Sequence, residues 1–172
     1  PGTTTPGFYG TDYLGDGDSA KGSKSVRFSP LISQAGYYEV FTRWTSGDNR
    51  ANEVPIEIVH SGGTTSVSVD QRNNGGRWIS LGLYNFNAGS AGNVLISNAG
   101  TQGHVVVDAV RFVRQVILDN SAATGVDVTG TWTAASSVAG YMGSNYLHDE
   151  NDFKGSRSVR FSPSVPEAGR YD

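Results

Sequence analysis

The sequence predicts an all-β chain, an antiparallel two-sheet sandwich of jelly-roll type arranged in tandem repeat. Three observations predict it. Gly is abundant (23 residues) beside many Ser, Thr, Val and Asn, with a single Met, a balance that favours short strands and tight turns over helices. Apolar and polar residues alternate in segment after segment, and no stretch of useful length has a helical period. The chain also repeats itself. Residues 7–39 and 140–172 align without a gap at an offset of 133 and are identical at 17 of 33 positions, around the shared run Lys-Gly-Ser-Lys/Arg-Ser-Val-Arg-Phe-Ser-Pro at 21–30 and 154–163.

The elements follow in chain order. Residues 25–29 read as a short strand that Pro30 ends. Residues 36–44 set Tyr38, Val40, Thr42 and Trp44 against Tyr37, Glu39, Phe41 and Arg43. Residues 54–60 set Val54, Ile56 and Ile58 against Glu57, and Ser61-Gly62-Gly63 turns the chain into a strand over 64–71. Asn73-Asn74-Gly75-Gly76 suits a hairpin turn, because Asn and Gly tolerate positive φ, and it leads into a strand over 78–86. Strands over 93–97 and 104–114 complete the first copy, and 116–120 and 129–133 open the second. The strands are expected to be antiparallel and mostly sequential neighbours.

The repeat sets the domain organisation. Residues 1–115 are expected to form a first repeat lacking its opening strand, and 116–172 the opening part of a second. Only Arg114 and Gln115 separate the last strand of one copy from the first of the next, so successive repeats should not swing freely. The second copy stops at Asp172, inside an expected strand, and the chain starts at Pro1 without an initiator Met. It reads as a piece of something longer.

Composition narrows the function. Thirteen Lys and Arg against 16 Asp and Glu give a net charge of -3, which offers no basic footprint for nucleic acid. No apolar run approaches the ~20 residues of a membrane span. The absence of Cys excludes disulfides, thiolate catalysis and Cys-based zinc sites, and it suits a bacterial protein at the cell surface or outside the cell. No nucleophile elbow, phosphate-binding loop or zinc-protease motif occurs. His60, His104 and His148 lack metal-ligand spacing. The chain is therefore expected not to be an enzyme.

Several runs resemble the golvesin/xanthan-lyase carbohydrate-binding-like domain: Tyr38-Glu39-Val40-Phe41-Thr42-Arg43-Trp44, Asn49-Arg50-Ala51-Asn52-Glu53-Val54-Pro55, Asn74-Gly75-Gly76-Arg77-Trp78, and Asp108-Ala109-Val110-Arg111-Phe112. Ile117-Leu118-Asp119-Asn120 with Gly130-Thr131-Trp132 is similar to the start of the same domain. The resemblance implies a galactose-binding-like jelly roll. It implies company with polysaccharide-degrading catalytic domains or with large bacterial surface proteins.

Candidate binding residues come from the alternation and from polar loops. With Ile79, Leu81 and Leu83 facing the core, Trp78 and Tyr84 share the opposite face ~20 Å apart, at ~3.3 Å per residue. Pyranose rings stack on such aromatic surfaces. The alternative is that both faces are covered, since large aromatics are buried on average. Asn49 and Arg50 in the 46–52 loop, with Asn74 in the next, supply donors for a sugar hydroxyl or carboxylate. The alternative there is that such residues shape their own turns. The acidic loops Asp16-Gly17-Asp18 and Asp149-Glu150-Asn151-Asp152 leave room for one cofactor, a structural calcium, against the simpler expectation of solvated loop charge. Asp108, inside an apolar run, is expected to be structural, holding backbone or Arg groups.

Two functions follow. The first is a non-catalytic repeat that builds a bacterial surface fibre, stalk or adhesin by head-to-tail contact with copies of itself, with polysaccharide as a further partner. The alternative is a carbohydrate-binding accessory module of a secreted polysaccharide-degrading enzyme.

Overall fold

A computed structural model describes residues 1–165, and every regular element in them is a β-strand. The chain divides into two compact units, Pro1–Gln115 and Val116–Asp172.

The first unit holds nine strands: β1 (Leu14–Gly15), β2 (Ser25–Phe28), β3 (Gly36–Arg43), β4 (Val54–His60), β5 (Gly63–Val69), β6 (Ile79–Phe86), β7 (Asn93–Ser97), β8 (Val106–Val107) and β9 (Ala109–Arg114). One sheet has the order β2-β7-β4-β5, a second β6-β3-β9, and a small third pairs β1 with β8. All these pairings are antiparallel. The alternation in β3 and β4 predicts the core correctly. Tyr38, Val40 and Thr42 are buried from one sheet, and Val54, Ile56 and Ile58 from the other. All of these except Thr42 pack with Phe86, Val94 and Ile96 between the sheets, each apolar side chain contributing ~1.5–3 kcal/mol on burial.

Three expectations need correction. The strands are antiparallel but not mostly sequential, for β4 and β5 are the one adjacent pair that is also consecutive in the two main sheets. The 73–76 turn therefore closes no hairpin. Asn74 and Gly76 do take positive φ (58° and 74°), but the turn carries the chain from the edge of one sheet to the edge of the other. The 104–114 segment breaks at Asp108, because Val106 and Val107 pair with β1 while 109–114 pair with β3.

A fourth correction bears on the site. Val40 pairs with Gly82 and Phe41 with Ser80, so Leu81 is the extra residue of a β-bulge. Gly82 takes φ 126° there. The bulge switches the phase of alternation. Leu81 faces the core, and so do Tyr84 and Phe86 beyond it, while Leu83 is 37% exposed and Phe86 is 0%.

The second unit has β10 (Val126–Thr129) paired with β13 (Ser158–Phe161), and β11 (Thr133–Ala135) with β12 (Tyr146–His148). Residues 116–120 do not form the expected strand. Asp119 instead organises a turn, its Oδ1 accepting the Ser121 N–H at 2.9 Å and its carbonyl the Ala122 N–H at 3.0 Å. The strand expected over 129–133 divides at Gly130, which has φ 80°. The strand expected at Asp172 lies outside the described residues. Pairing of Ala135 with Tyr146 reproduces, at the 133-residue offset, the bridge between Gly2 and Tyr13.

Candidate functional site

The outward face of the β6-β3-β9 sheet collects side chains that sequence reading leaves scattered. Arg43 and Phe41 stand on β3 opposite its buried residues, Arg111 stands on β9 between the inward Val110 and Phe112, and Trp78 directly precedes β6. The Arg111 guanidinium lies 4.5 Å from the Phe41 ring centroid and 4.9 Å from that of Trp78. Arg43 reaches the same indole at 5.9 Å. Tyr9, 62% exposed, tilts against Trp78 with centroids 5.5 Å apart.

Buried chemistry fixes the edge of this platform. The Asp108 side chain is fully covered and takes the Tyr9 N–H on both oxygens, at 3.1 and 2.9 Å. Arg43 donates to the Gly7 carbonyl at 2.9 Å and lies 3.9 Å from the Asp108 carboxylate. Burial pushes the Asp108 pKa up, against the opposing pull of the Tyr9 N–H and Arg43. Asp108 is structural, as expected from its apolar run. Among the described residues no carboxylate or carbonyl engages the Arg111 guanidinium. It is an exposed cation held in place by two rings, with its donor fork unoccupied.

The five residues chosen from sequence fall in different places. Trp78 belongs to the platform. Tyr84 lies across the sheet from it, on the core side of the bulge, where its hydroxyl donates to the Leu81 carbonyl at 2.7 Å and its ring meets His60 at 5.0 Å. The shared Trp78–Tyr84 face does not exist, because the bulge lies between them. Asn49 and Arg50 hold their own loop: Arg50 donates to the Thr45 carbonyl (3.3 Å) and to Asn49 Oδ1 (2.8 Å), and the Asn49 carbonyl accepts the His104 N–H (2.9 Å). Arg50 also lines an open cleft of about 220 Å³ with Tyr13 and His104. Asn74 is exposed in its left-handed turn. That turn abuts the 46–49 loop so closely that a Cβ on Gly75 would stand 2.3 Å from the Ser46 nitrogen.

Asp16 is not solvated loop charge. Its side chain is 5% exposed. One oxygen accepts the N–H groups of Asp18 and Val105, each at 2.9 Å, and the other accepts Lys21 (2.7 Å) and Asn98 (3.1 Å). Burial opposes its ionisation, yet the Lys21 ammonium and these N–H groups together hold the carboxyl well below the usual range. Both oxygens are taken by donors, which tie the loop to the sandwich. Asp149 repeats the local part of this arrangement with Asn151, Lys154 and Arg157, each 133 residues on from Asp18, Lys21 and Lys24. Its side chain is 31% exposed.

A β-sandwich with a carbohydrate-binding-like fold is the class these features define. The chain belongs to the Golvesin C-terminal domain family, whose model matches residues 2–114 and again 116–172. Over 108 residues, 61% of the chain, it is 47% identical to a xanthan lyase of Bacillus sp. (strain GL1). A solved structure of Paenibacillus xanthan lyase superposes with a TM-score of 0.64 at 46% identity over 65% of the chain. The matched region spans 12% of the first of these proteins and 11% of the second.

Proposed function

We propose that this chain is a non-catalytic, carbohydrate-binding accessory module of a polysaccharide-degrading enzyme, and that it meets glycan on the outward face of the β6-β3-β9 sheet. The observation that carries this is the 47% identity, over 108 residues, to a protein named for its action on xanthan. It favours the accessory-module alternative over the surface-fibre function, which rests on the internal repeat. An extracellular, bacterial setting goes with it, since a polymer too large to enter a cell has to be met outside.

The platform supports the same assignment. Tyr9 and Trp78 offer ring surface to the C–H faces of a sugar, and Arg111 beside them offers a donor fork to a carboxylate or paired hydroxyls. The carboxylates in the first unit's interior serve structure. Asp16 has donors on both oxygens, and the Asp108 side chain is fully covered and holds the Tyr9 N–H.

Affinity electrophoresis through gels containing xanthan or a neutral glucan tests this. Retardation by xanthan should weaken about tenfold in Trp78→Ala and in Arg111→Ala, in keeping with loss of one stacking or charge-assisted contact. It should be unchanged in Tyr84→Phe. Equal retardation of the wild type, Trp78→Ala and Arg111→Ala would remove the platform from consideration.

A further inference from the structure

Two opposite charges on the outward face of the β6-β3-β9 sheet are diagonal neighbours that the fold leaves unpaired. Glu39 of β3 stands opposite Val113 of β9, and Phe41, two residues on, stands opposite Arg111. Glu39 and Arg111 share the outward face, because Val40, Val110 and Phe112 between them turn to the core. Diagonal neighbours across a sheet are ~7–8 Å apart, within reach of two long side chains. Yet among the described residues neither charge forms a salt bridge. Each is held by a partner of its own. The Arg111 guanidinium lies over the Phe41 and Trp78 rings at 4.5 and 4.9 Å. Glu39 Oε1 accepts the Ser80 hydroxyl at 2.8 Å, which turns the carboxylate toward β6, the strand on the far side of β3 from β9. The face therefore carries a positioned cation beside a positioned anion, ~7 Å on along β3 at ~3.3 Å per residue.

We propose that this charge pattern sets the substrate class of the glycan site: a heteropolysaccharide whose carboxylates are separated by neutral sugars. The inference rests on the glycan-binding function proposed above. Arg111 takes a ligand carboxylate on its free donor fork, a stronger acceptor than a neutral hydroxyl. Glu39 accepts hydroxyls from the next sugar along β3 and repels a second carboxylate at that place. A homopolymer of uronic acids carries a carboxylate on every sugar, so a chain seated on Arg111 would bring another against Glu39. A neutral chain would leave the Arg111 fork with hydroxyls alone. Selection thus combines an attractive group with a repulsive one, the usual basis of discrimination between similar ligands. The repeat keeps an acid at this place in its sequence, for Asp172 stands 133 residues on from Glu39.

Affinity electrophoresis of the full chain through gels containing xanthan, carboxyl-reduced xanthan or polygalacturonate tests the proposal. The wild type should bind xanthan about fivefold more tightly than either of the others, the scale of one exposed charge contact. Glu39→Gln keeps the acceptor for Ser80 and removes the charge. It should shift the ratio of xanthan to polygalacturonate affinity about fivefold toward polygalacturonate. Arg111→Gln should bring xanthan down to the level of its carboxyl-reduced form. These ratios compare ligands on one folded protein, so a merely structural role for either residue would not move them. Equal wild-type affinity for xanthan and its carboxyl-reduced form would overturn the inference and leave the glycan site standing. So would a Glu39→Gln protein with the wild-type ratio. Absence of any retardation by xanthan would remove the glycan site itself, and this inference with it.

Discussion

Asp16 and Asp108 are two covered carboxylates with opposite electrostatics. Asp16 is held ionised by four hydrogen bonds, one of them from the Lys21 ammonium, whereas burial dominates at Asp108 and favours its protonated form. Because the folded-state pKa of Asp16 lies below its unfolded value, its contribution is fully present above about pH 4 and drains away as the pH falls further. Asp108 acts in the other sense, its contribution declining as the pH rises from about 4 through its raised value. Asp16→Asn should cost ~2–3 kcal/mol at pH 7, the scale of hydrogen bonds to a charged group. It should also flatten the loss of stability below pH 4. Urea titrations of both proteins between pH 2 and 7 check this, and parallel acid limbs would refute it. Such a residue was not legible in sequence. An Asp-Gly-Asp turn looks like surface charge until Asn98 and Val105, some 80 to 90 residues away, close over it. The platform was half legible: the alternation in β3 put Phe41 and Arg43 on the face away from the core, but only the register with β9 brings Arg111 to them.

At the scale of the element, β6 shows how one extra residue reassigns a face. Period-two alternation placed Leu83 inside with Leu81, and the bulge places it outside. Leu83→Thr should therefore stay within about 0.5 kcal/mol of wild type, as surface changes do. Leu81→Ala should cost ~2–4 kcal/mol. Gly82→Ala should cost ~1–3 kcal/mol, because its φ suits glycine and a Cβ would stand 2.9 Å from the Tyr84 hydroxyl. Thermal unfolding of the three variants separates the cases, and an Leu83→Thr protein as damaged as Leu81→Ala would restore the unbroken alternation. Strand positions and inner faces of β3 and β4 were readable because one residue in two is apolar there. Partners were not, since pairing such as β3 with β9 depends on side chains distant in sequence.

For the whole molecule, the two units differ in how much they can stabilise. The first encloses a core between two sheets, whereas among the described residues of the second the sheets are two-stranded and leave Val128 and Phe161 about half exposed. Amides of β10 and β13 should exchange at least a hundredfold faster than those of β3 and β4, because local opening follows burial and contact density. Equal protection in the two units would show that the second is as cooperative as the first. The pairing of β3 with β9 has one more consequence, and it concerns time. The residue Tyr38 meets Arg114 across the sheet, and a ribosome adding ~5–20 residues per second needs roughly 4–15 s to synthesise the intervening stretch. For that interval the central strand of its sheet has emerged while one flank has nothing to bind. The aromatic and β-branched residues that make β3 a good central strand thus also make it the segment a nascent chain must keep from pairing with a neighbour on the same message.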